Sequence, residues 1–292
     1  MQILGQAKRI RQLLNEDGII VVPGAYDALT AKIVENAGFK AVLTGGYSIA
    51  ASRLGEPDIG YLTMTEMTDT VRTISGAVDL PLIADGDTGY GNALSVMRTV
   101  REYERAGAAA ILFEDQVWPK RCGHMAGKSV VPAQEHVKKI EAAVSAKENP
   151  DLVIIARTDA LAVNGPDDAI KRGMSYLKAG ADALFIEAPM SVEEMRQIAQ
   201  AFPGVPLVAN MVENGVTPLL TSAELEDMGY KIVFWPCTAV YTVVKAYSEA
   251  LAVLAQNGTT AGYKERMADF GTFNKFIGLD EYRLLEKKFK LP

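Results

Sequence analysis

Eight short apolar runs alternate with amphipathic stretches along this chain, and that alternation constrains its fold more than any other feature. The runs are Gly18 to Val22, Ala41 to Thr44, Leu80 to Ala84, Ala109 to Phe113, Leu152 to Ala156, Ala183 to Ile186, Val205 to Ala209 and Lys231 to Trp235. Helical spacing marks Glu66 to Ser75, Ala93 to Ala106, Ala133 to Lys147, Asp167 to Ala179, Val192 to Phe202 and Ser222 to Met228 between them. Nearly continuous apolar strands are covered on both faces, as in a parallel sheet wrapped by helices. The pairs Ala37-Gly38, Ala106-Gly107, Ala179-Gly180 and Met228-Gly229 stop helices just before strands. Eight such units predict an α/β fold, a (β/α)8 TIM barrel in a single domain over residues 1–292. A doubly wound open sheet is the alternative, although no Gly-x-Gly-x-x-Gly turn follows the first run. More helix follows the eighth run than one barrel unit needs, so Ala239 to Leu254 and the segments after it are expected to pack on a neighbouring subunit.

Composition narrows the function classes. The 292 residues, 49% of them hydrophobic, suffice for a large core. A net charge of -6 argues against a nucleic-acid footprint or a membrane-attracting basic face. No apolar segment reaches the roughly 18 residues of a membrane span. Met1-Gln2-Ile3-Leu4-Gly5 has none of the marks of a secretory signal, and Cys122 and Cys237 have no zinc-type spacing. A reducing cytoplasm is therefore expected, with one disulfide between the two cysteines left open.

Barrel enzymes carry their chemistry at the C-terminal ends of the strands, and here those ends are unusually polar. They deliver Asp85-Gly86-Asp87, Glu114-Asp115-Gln116, Arg157-Thr158-Asp159, Glu187 and Asn210. Asp85 and Asp87, joined by Asp58 and Glu114, form an acid-rich rim of hard oxygen donors that suits Mg2+ or Mn2+. A helix cap near Ala93 and an Asx turn are the structural alternatives for the two aspartates. Thr44-Gly45-Gly46-Tyr47-Ser48 is a small-residue loop with backbone amides for an anion. Arg157 either pairs with Glu187 or clamps a substrate carboxylate, and Asn210 is either a neutral donor or a turn residue. His136 is expected to be a surface or packing residue, and Trp118 and Trp235 to pack near the rim.

Lys120-Arg121-Cys122-Gly123-His124 places one thiol among three potentially cationic side chains. Such neighbours lower a cysteine's pKa, which sets up Cys122 as a nucleophile or a ready proton donor. A basic surface loop with a chance cysteine is the alternative.

With these motifs the chain resembles the isocitrate lyase and phosphoenolpyruvate mutase superfamily, over nearly its whole length from Val22-Pro23-Gly24-Ala25 onward. Lys120 to His124 matches the K-[KR]-C-G-H gating-loop signature of the lyase branch, which the mutase and phosphonopyruvate hydrolase branches lack. The resemblance implies a Mg2+-dependent carbon–carbon lyase on a (β/α)8 barrel, with a homotetramer that swaps the eighth helix between neighbours. It implies Asp85 as a Mg2+ ligand, with Asp87, Asp58 and Glu114 holding the ion directly or through water. Cys122 becomes the catalytic acid on a mobile loop with Lys120 and His124. The substrate is lined by Gly45, Gly46, Tyr47, Gly123, His124, Arg157, Glu187, Asn210 and Pro236. Gly45 departs from the Ser or Thr usual there in relatives. Met125 and Tyr241 stand where methylisocitrate lyases tend to have arginine, which implies a site for two carboxylates. A substituted malate of the 2,3-dimethylmalate type, cleaved to pyruvate and propionate, is therefore expected. The alternatives are 2-methylisocitrate, oxaloacetate hydrolysis or decarboxylation (which Pro236 disfavours), and a non-catalytic ligand-binding barrel.

Overall fold

A computed structural model of the chain describes residues 2–290. Eight strands form one sheet: β1 (Ile20–Pro23), β2 (Val42–Thr44), β3 (Leu82–Asp85), β4 (Ala110–Glu114), β5 (Val153–Thr158), β6 (Ala183–Ile186), β7 (Leu207–Asn210) and β8 (Tyr230–Trp235). Neighbours are parallel in the order β1-β8-β7-β6-β5-β4-β3-β2. The Ala25 amide, donating to the Leu43 carbonyl at 2.8 Å, ties the two ends of that order together. The sheet is therefore a (β/α)8 barrel, as the alternation predicts.

The intervening helices Met64–Ser75, Ala93–Ala106, Ala133–Ala146, Pro166–Lys178, Val192–Ala201 and Ser222–Met228 begin and end within two residues of the expected segments. Their starts are chemically marked. Thr63 with Glu66 and Thr221 with Glu224 form capping boxes, and Asn92 and Ser191 accept from the first-turn amides. Each such cap contributes about 1 kcal/mol. Because Asn92 caps the helix at Ala93, neither Asp85 nor Asp87 does, and that alternative is removed.

The strands extend further than their apolar runs. Asp85, Glu114, Arg157, Thr158 and Asn210, expected just past the strands, are the strands' last residues. Ladder pairing carries on through them: Asp85 faces Leu112, Glu114 faces Arg157, and Asn210 faces Phe234. This extension positions the site. Ile20, Val22, Leu43, Ile83, Leu112, Val153, Ile155, Phe185, Val208, Ile232 and Phe234 fill the barrel interior, with Ile10 and Leu13 of the helix Gln2–Asn15 in the same cluster. Side chains along a strand alternate between faces. Two residues past an interior apolar position therefore comes another interior position: Asp85 after Ile83, Glu114 after Leu112, Arg157 after Ile155, Glu187 after Phe185, and Asn210 after Val208. The polar set stands directly on an apolar plug. A second apolar cluster lies between the strands and the helices, including Val71, Ile74, Val100, Tyr103, Ile140 and Tyr176. Burying a large apolar side chain contributes roughly 1.5–3 kcal/mol, so these two clusters hold the rim rigidly.

The chain divides into two compact units, residues 1–240 and 241–292. The second comprises most of the helix Thr238–Asn257, the 3-10 turn Ala261–Arg266, and the helices Phe270–Phe276 and Leu279–Phe289. Tyr263 anchors it internally: its hydroxyl donates to the Ala246 carbonyl at 3.0 Å, and the Arg266 guanidinium lies over its ring. Tyr241 lies inside the helix, which begins at Thr238. No helix among the described residues is long and apolar enough to cross a membrane.

Candidate active site

One cavity at the C-terminal end of the barrel gathers most of the residues singled out from sequence. Gly45, Gly46, Tyr47, Asp58, Asp85, Lys120, Cys122, Gly123, His124, Arg157, Glu187, Asn210 and Pro236 line about 60 Å³ of free space. Asp87 and Glu114 are buried just behind this lining. So little space, room for a few waters, means that the segment Lys120–His124 lies down over the cavity.

The acids sit on one side. Asp85 accepts from the Gly46 amide at 3.0 Å through Oδ2 and from the Asp87 amide at 3.0 Å through Oδ1. The expected anion-binding amide of Gly46 is thus already engaged, because residues 46–54 form a helix whose first turn points at Asp85. Gly45 has room for a side chain: a Cβ there would lie 4.0 Å from Asp85 Oδ2. Asp87 has φ 47 and Tyr90 φ 57, a strained turn that aims the Tyr90 hydroxyl at Asp87 Oδ2 at 3.1 Å. Tyr90 also meets the Tyr103 hydroxyl at 3.0 Å, and Tyr103 donates to the Asp85 carbonyl at 3.0 Å. Two phenols therefore brace the turn that carries both aspartates, a support that the sequence reading did not identify.

Lys120 decides how these acids balance. Its ammonium, 4% exposed, lies 2.8 Å from Asp58 Oδ1 and 2.7 Å from Asp87 Oδ1. Burial lifts Asp87 to about 6 against the opposing pull of Lys120, and burial raises Glu114 well above the carboxylate range. Burial alone would lower Lys120, yet Asp87 and Asp58 hold it well above its ordinary value. Among the described residues no three His, Cys, Asp or Glu side chains converge closely enough to hold a metal ion. The ammonium takes the centre between Asp58 and Asp87 instead. The donor set nevertheless fits a hard divalent cation. Asp58, Asp85 and Asp87 exceed the charge of one ammonium, Glu114 Oε1 is buried with no hydrogen-bond partner, and Asp87 Oδ1 is held only by the ion pair.

A fixed cation stands opposite. Arg157 presents Nε and Nη2 to Asp159 at 2.9 and 3.0 Å, lies 3.3 Å from Glu114 and 3.7 Å from Glu187, and rests over the Phe185 ring. Its main partner is therefore Asp159, two residues along the same strand end, rather than Glu187. One edge of its fork is occupied by Asp159. Asp159 is itself fixed: its amide donates to Asp115 Oδ1 at 3.0 Å. Asp115 also accepts from Thr158, Tyr176 and Arg172. Asn210 donates to Glu187 Oε1 at 3.2 Å. The Val216 amide donates to His124 Nδ1 at 3.1 Å, so in neutral His124 the proton sits on Nε2, 3.6 Å from Glu187. His136, expected at the surface or in packing, is fully buried edge-on to Tyr176.

The expected lowering of the Cys122 pKa is overturned. Burial pushes the thiol up to about 11, only partly offset by the His124 amide bonded to its sulfur. The cations of the motif do not serve the thiol. Lys120 is spent on Asp58 and Asp87, Arg121 points to solvent, and burial lowers His124. Cys122 is a protonated thiol held in the cavity wall. Neither cysteine is in a disulfide, which closes the disulfide alternative.

Known proteins match this arrangement. The family model described as phosphoenolpyruvate phosphomutase matches residues 10–255. The chain is 49% identical to 2,3-dimethylmalate lyase of Eubacterium barkeri, over 98% of this chain and 99% of that one. It is 41% identical to 2-methylisocitrate lyase of Halalkalibacterium halodurans, over 96% and 92% respectively. A crystal structure of 2,3-dimethylmalate lyase superposes with TM-score 0.92 at 39% identity, covering 98% of this chain and 95% of that one. A phosphonopyruvate hydrolase in complex with oxalate and Mg2+ superposes with TM-score 0.88 at 32% identity, covering 97% and 99%. With homology sustained from end to end in both sequence and fold, the chain belongs to the phosphoenolpyruvate mutase/isocitrate lyase superfamily.

Proposed function

We propose that the chain is a Mg2+-dependent carbon–carbon lyase that cleaves a substituted malate of the 2,3-dimethylmalate type between C2 and C3, giving pyruvate and propionate. The observation that carries this reading is Cys122, a protonated thiol on a loop folded over strand-end acids and a fixed arginine. Asp85, with Asp87, Asp58 and Glu114, would hold Mg2+, consistent with the Mg2+ of the phosphonopyruvate hydrolase complex. When bound, the ion supplies Lewis-acid polarisation of a 2-hydroxy acid.

The chain's own residues do the rest. The 2-hydroxyl proton passes to a carboxylate of the acid cluster as the C2–C3 bond breaks, and the bonding electrons pass into the carboxylate attached to C3. Arg157 and Asn210 are donors already fixed in the frame, His124 Nε2–H joins them from the closed loop, and such preorganised donors stabilise charge that develops in the transition state. Cys122 then delivers its proton to C3, so propionate forms inside the closed site. A thiol with a raised pKa suits this step, because it stays protonated until a strong carbon base appears. Gly46, Tyr47, Gly123, Glu187 and Pro236 shape the space around the substrate, and Lys120 balances Asp58 and Asp87 until the cation binds.

Two carboxylates match one free guanidinium edge and the metal. A third, as in 2-methylisocitrate, would need a further cation where Met125 stands. The chain is read as one catalytic barrel with a C-terminal helical extension, in the cytoplasm, assembled as a homotetramer with the eighth helix swapped. The outward apolar side chains of Val244, Tyr247 and Phe270 in the second unit support that assembly. The test is release of pyruvate, coupled to lactate dehydrogenase, from 2,3-dimethylmalate, 2-methylisocitrate, ethylmalate and oxaloacetate with Mg2+. The highest kcat/KM is expected for dimethylmalate. A preference for methylisocitrate or oxaloacetate would reassign the substrate, and no 2-oxo acid from any of the four would mark a non-catalytic barrel.

A further inference from the structure

Lys128 is a buried cation that the proposed mechanism does not use. Its side chain is 3% exposed, and a buried ammonium persists only where acceptors replace its water. It has two acceptors, and they belong to different parts of the molecule. One is Asp159 Oδ1 at 3.1 Å, at the end of β5. The other is the carbonyl of Gly123, inside the loop that carries Cys122. Asp159 uses both carboxylate oxygens at once to grip Arg157.

The loop reaches this position only by lying flat on the site floor. A Cβ on Gly123 would fall 2.1 Å from Glu187 Oε1 and 2.6 Å from Arg157 Nη2, so only glycine lets the backbone come so near. In that position the Gly123 carbonyl and the Asp159 carboxylate share one ammonium. We infer that Lys128 is the latch of the Cys122 loop, a positioning residue that joins the closed loop to Asp159 and through it to Arg157. The closed loop and the Arg157 guanidinium are then coupled through one buried ion pair, beside the loop's bonds from Lys120 to Asp58 and Asp87. This deepens the proposed function, resting on the reading of that loop as the mobile carrier of Cys122.

The experiment reads loop position without substrate, so its failure is separable from failure of the lyase reading. Alkylation of Cys122 by iodoacetamide is followed by mass spectrometry of its peptide at three pH values, which separates access from thiol ionisation. Lys128→Met is expected to speed alkylation about tenfold at every pH with an unchanged circular dichroism spectrum, and Lys128→Arg to restore most of the protection. Asp159→Asn, which weakens the same pair from the other side, is expected to do the same as Lys128→Met and serves if that variant does not fold. Alkylation within twofold of wild type in folded Lys128→Met or Asp159→Asn would overturn the latch.

Discussion

The two sides of the cavity balance their charge in different ways. On the β2–β4 side, Asp58 and Asp87 are met by the Lys120 ammonium, which arrives on a loop. On the β5–β7 side, Arg157 pairs with Asp159 from its own strand end, and Asp159 also takes the Lys128 ammonium at 3.1 Å while its amide is held by Asp115. The acid side relies on a cation carried in by a loop, whereas the arginine side is built around a cation of the strand frame itself. The comparison teaches where each task belongs: a replaceable cation suits a metal-binding pole, and a permanent one suits the pole that must hold a donor still while charge develops.

The sharpest way to break this comparison is a matched pair of variants. Asp85→Ala should weaken Mn2+ binding, measured by electron paramagnetic resonance, by about 100-fold, and Arg157→Ala should leave it within about twofold. Turnover should fall by about 10³-fold in both, the scale of losing a fixed electrostatic group. Equal losses of Mn2+ affinity would merge the two poles into one.

A smaller effect concerns pH. Burial in the frame side holds His136 down at about 3. A histidine kept neutral in the fold but free to protonate near 6.5 when unfolded makes stability fall as pH drops from about 6.5 toward 3. At pH 5 the loss is ~2 kcal/mol, and urea unfolding of His136→Phe should lack that slope. Asp87, lifted to about 6, has the opposite sign, because a carboxyl that protonates more readily in the fold gains stability as pH falls through 6. An unchanged slope in His136→Phe would show that this group does not report on the frame side.

The smallest expected effect is the exchange itself. Lys120→Met removes the ammonium that stands between Asp58 and Asp87, and Mn2+ affinity should then rise about fivefold, ~1 kcal/mol, while turnover falls. Weaker binding in that variant would mean that Lys120 helps to hold the ion rather than yielding to it.

Much of this was legible in the sequence, for a physical reason. Strand alternation and burial on both faces are local properties, so the eight apolar runs predict the barrel, and the polar residues after them predict the rim. Asp85, Glu114, Arg157, Glu187 and Asn210 all fall on interior parity with the apolar plug. What sequence could not reveal depends on where long side chains travel. Lys120 to His124 reads as a cationic nest around a thiol, but Lys120 reaches away to Asp58, 62 residues distant in sequence, and the thiol is left to burial. The Gly46 amide reads as free because nothing local announces its bond to Asp85. Asp159 carried a signal in its i, i+2 relation to Arg157, whereas Lys128, Tyr90 and Tyr103 carried none outside the fold.

The central claim, that the closed loop delivers the Cys122 proton to a carbanion formed within the frame, is tested most directly by the product made in deuterated water. Wild-type protein with Mg2+ and 2,3-dimethylmalate should give propionate with one deuterium at C2 in a single configuration, and Cys122→Ser should give essentially none while binding Mn2+ normally. Racemic deuterated propionate, or near wild-type turnover in Cys122→Ser, would contradict it.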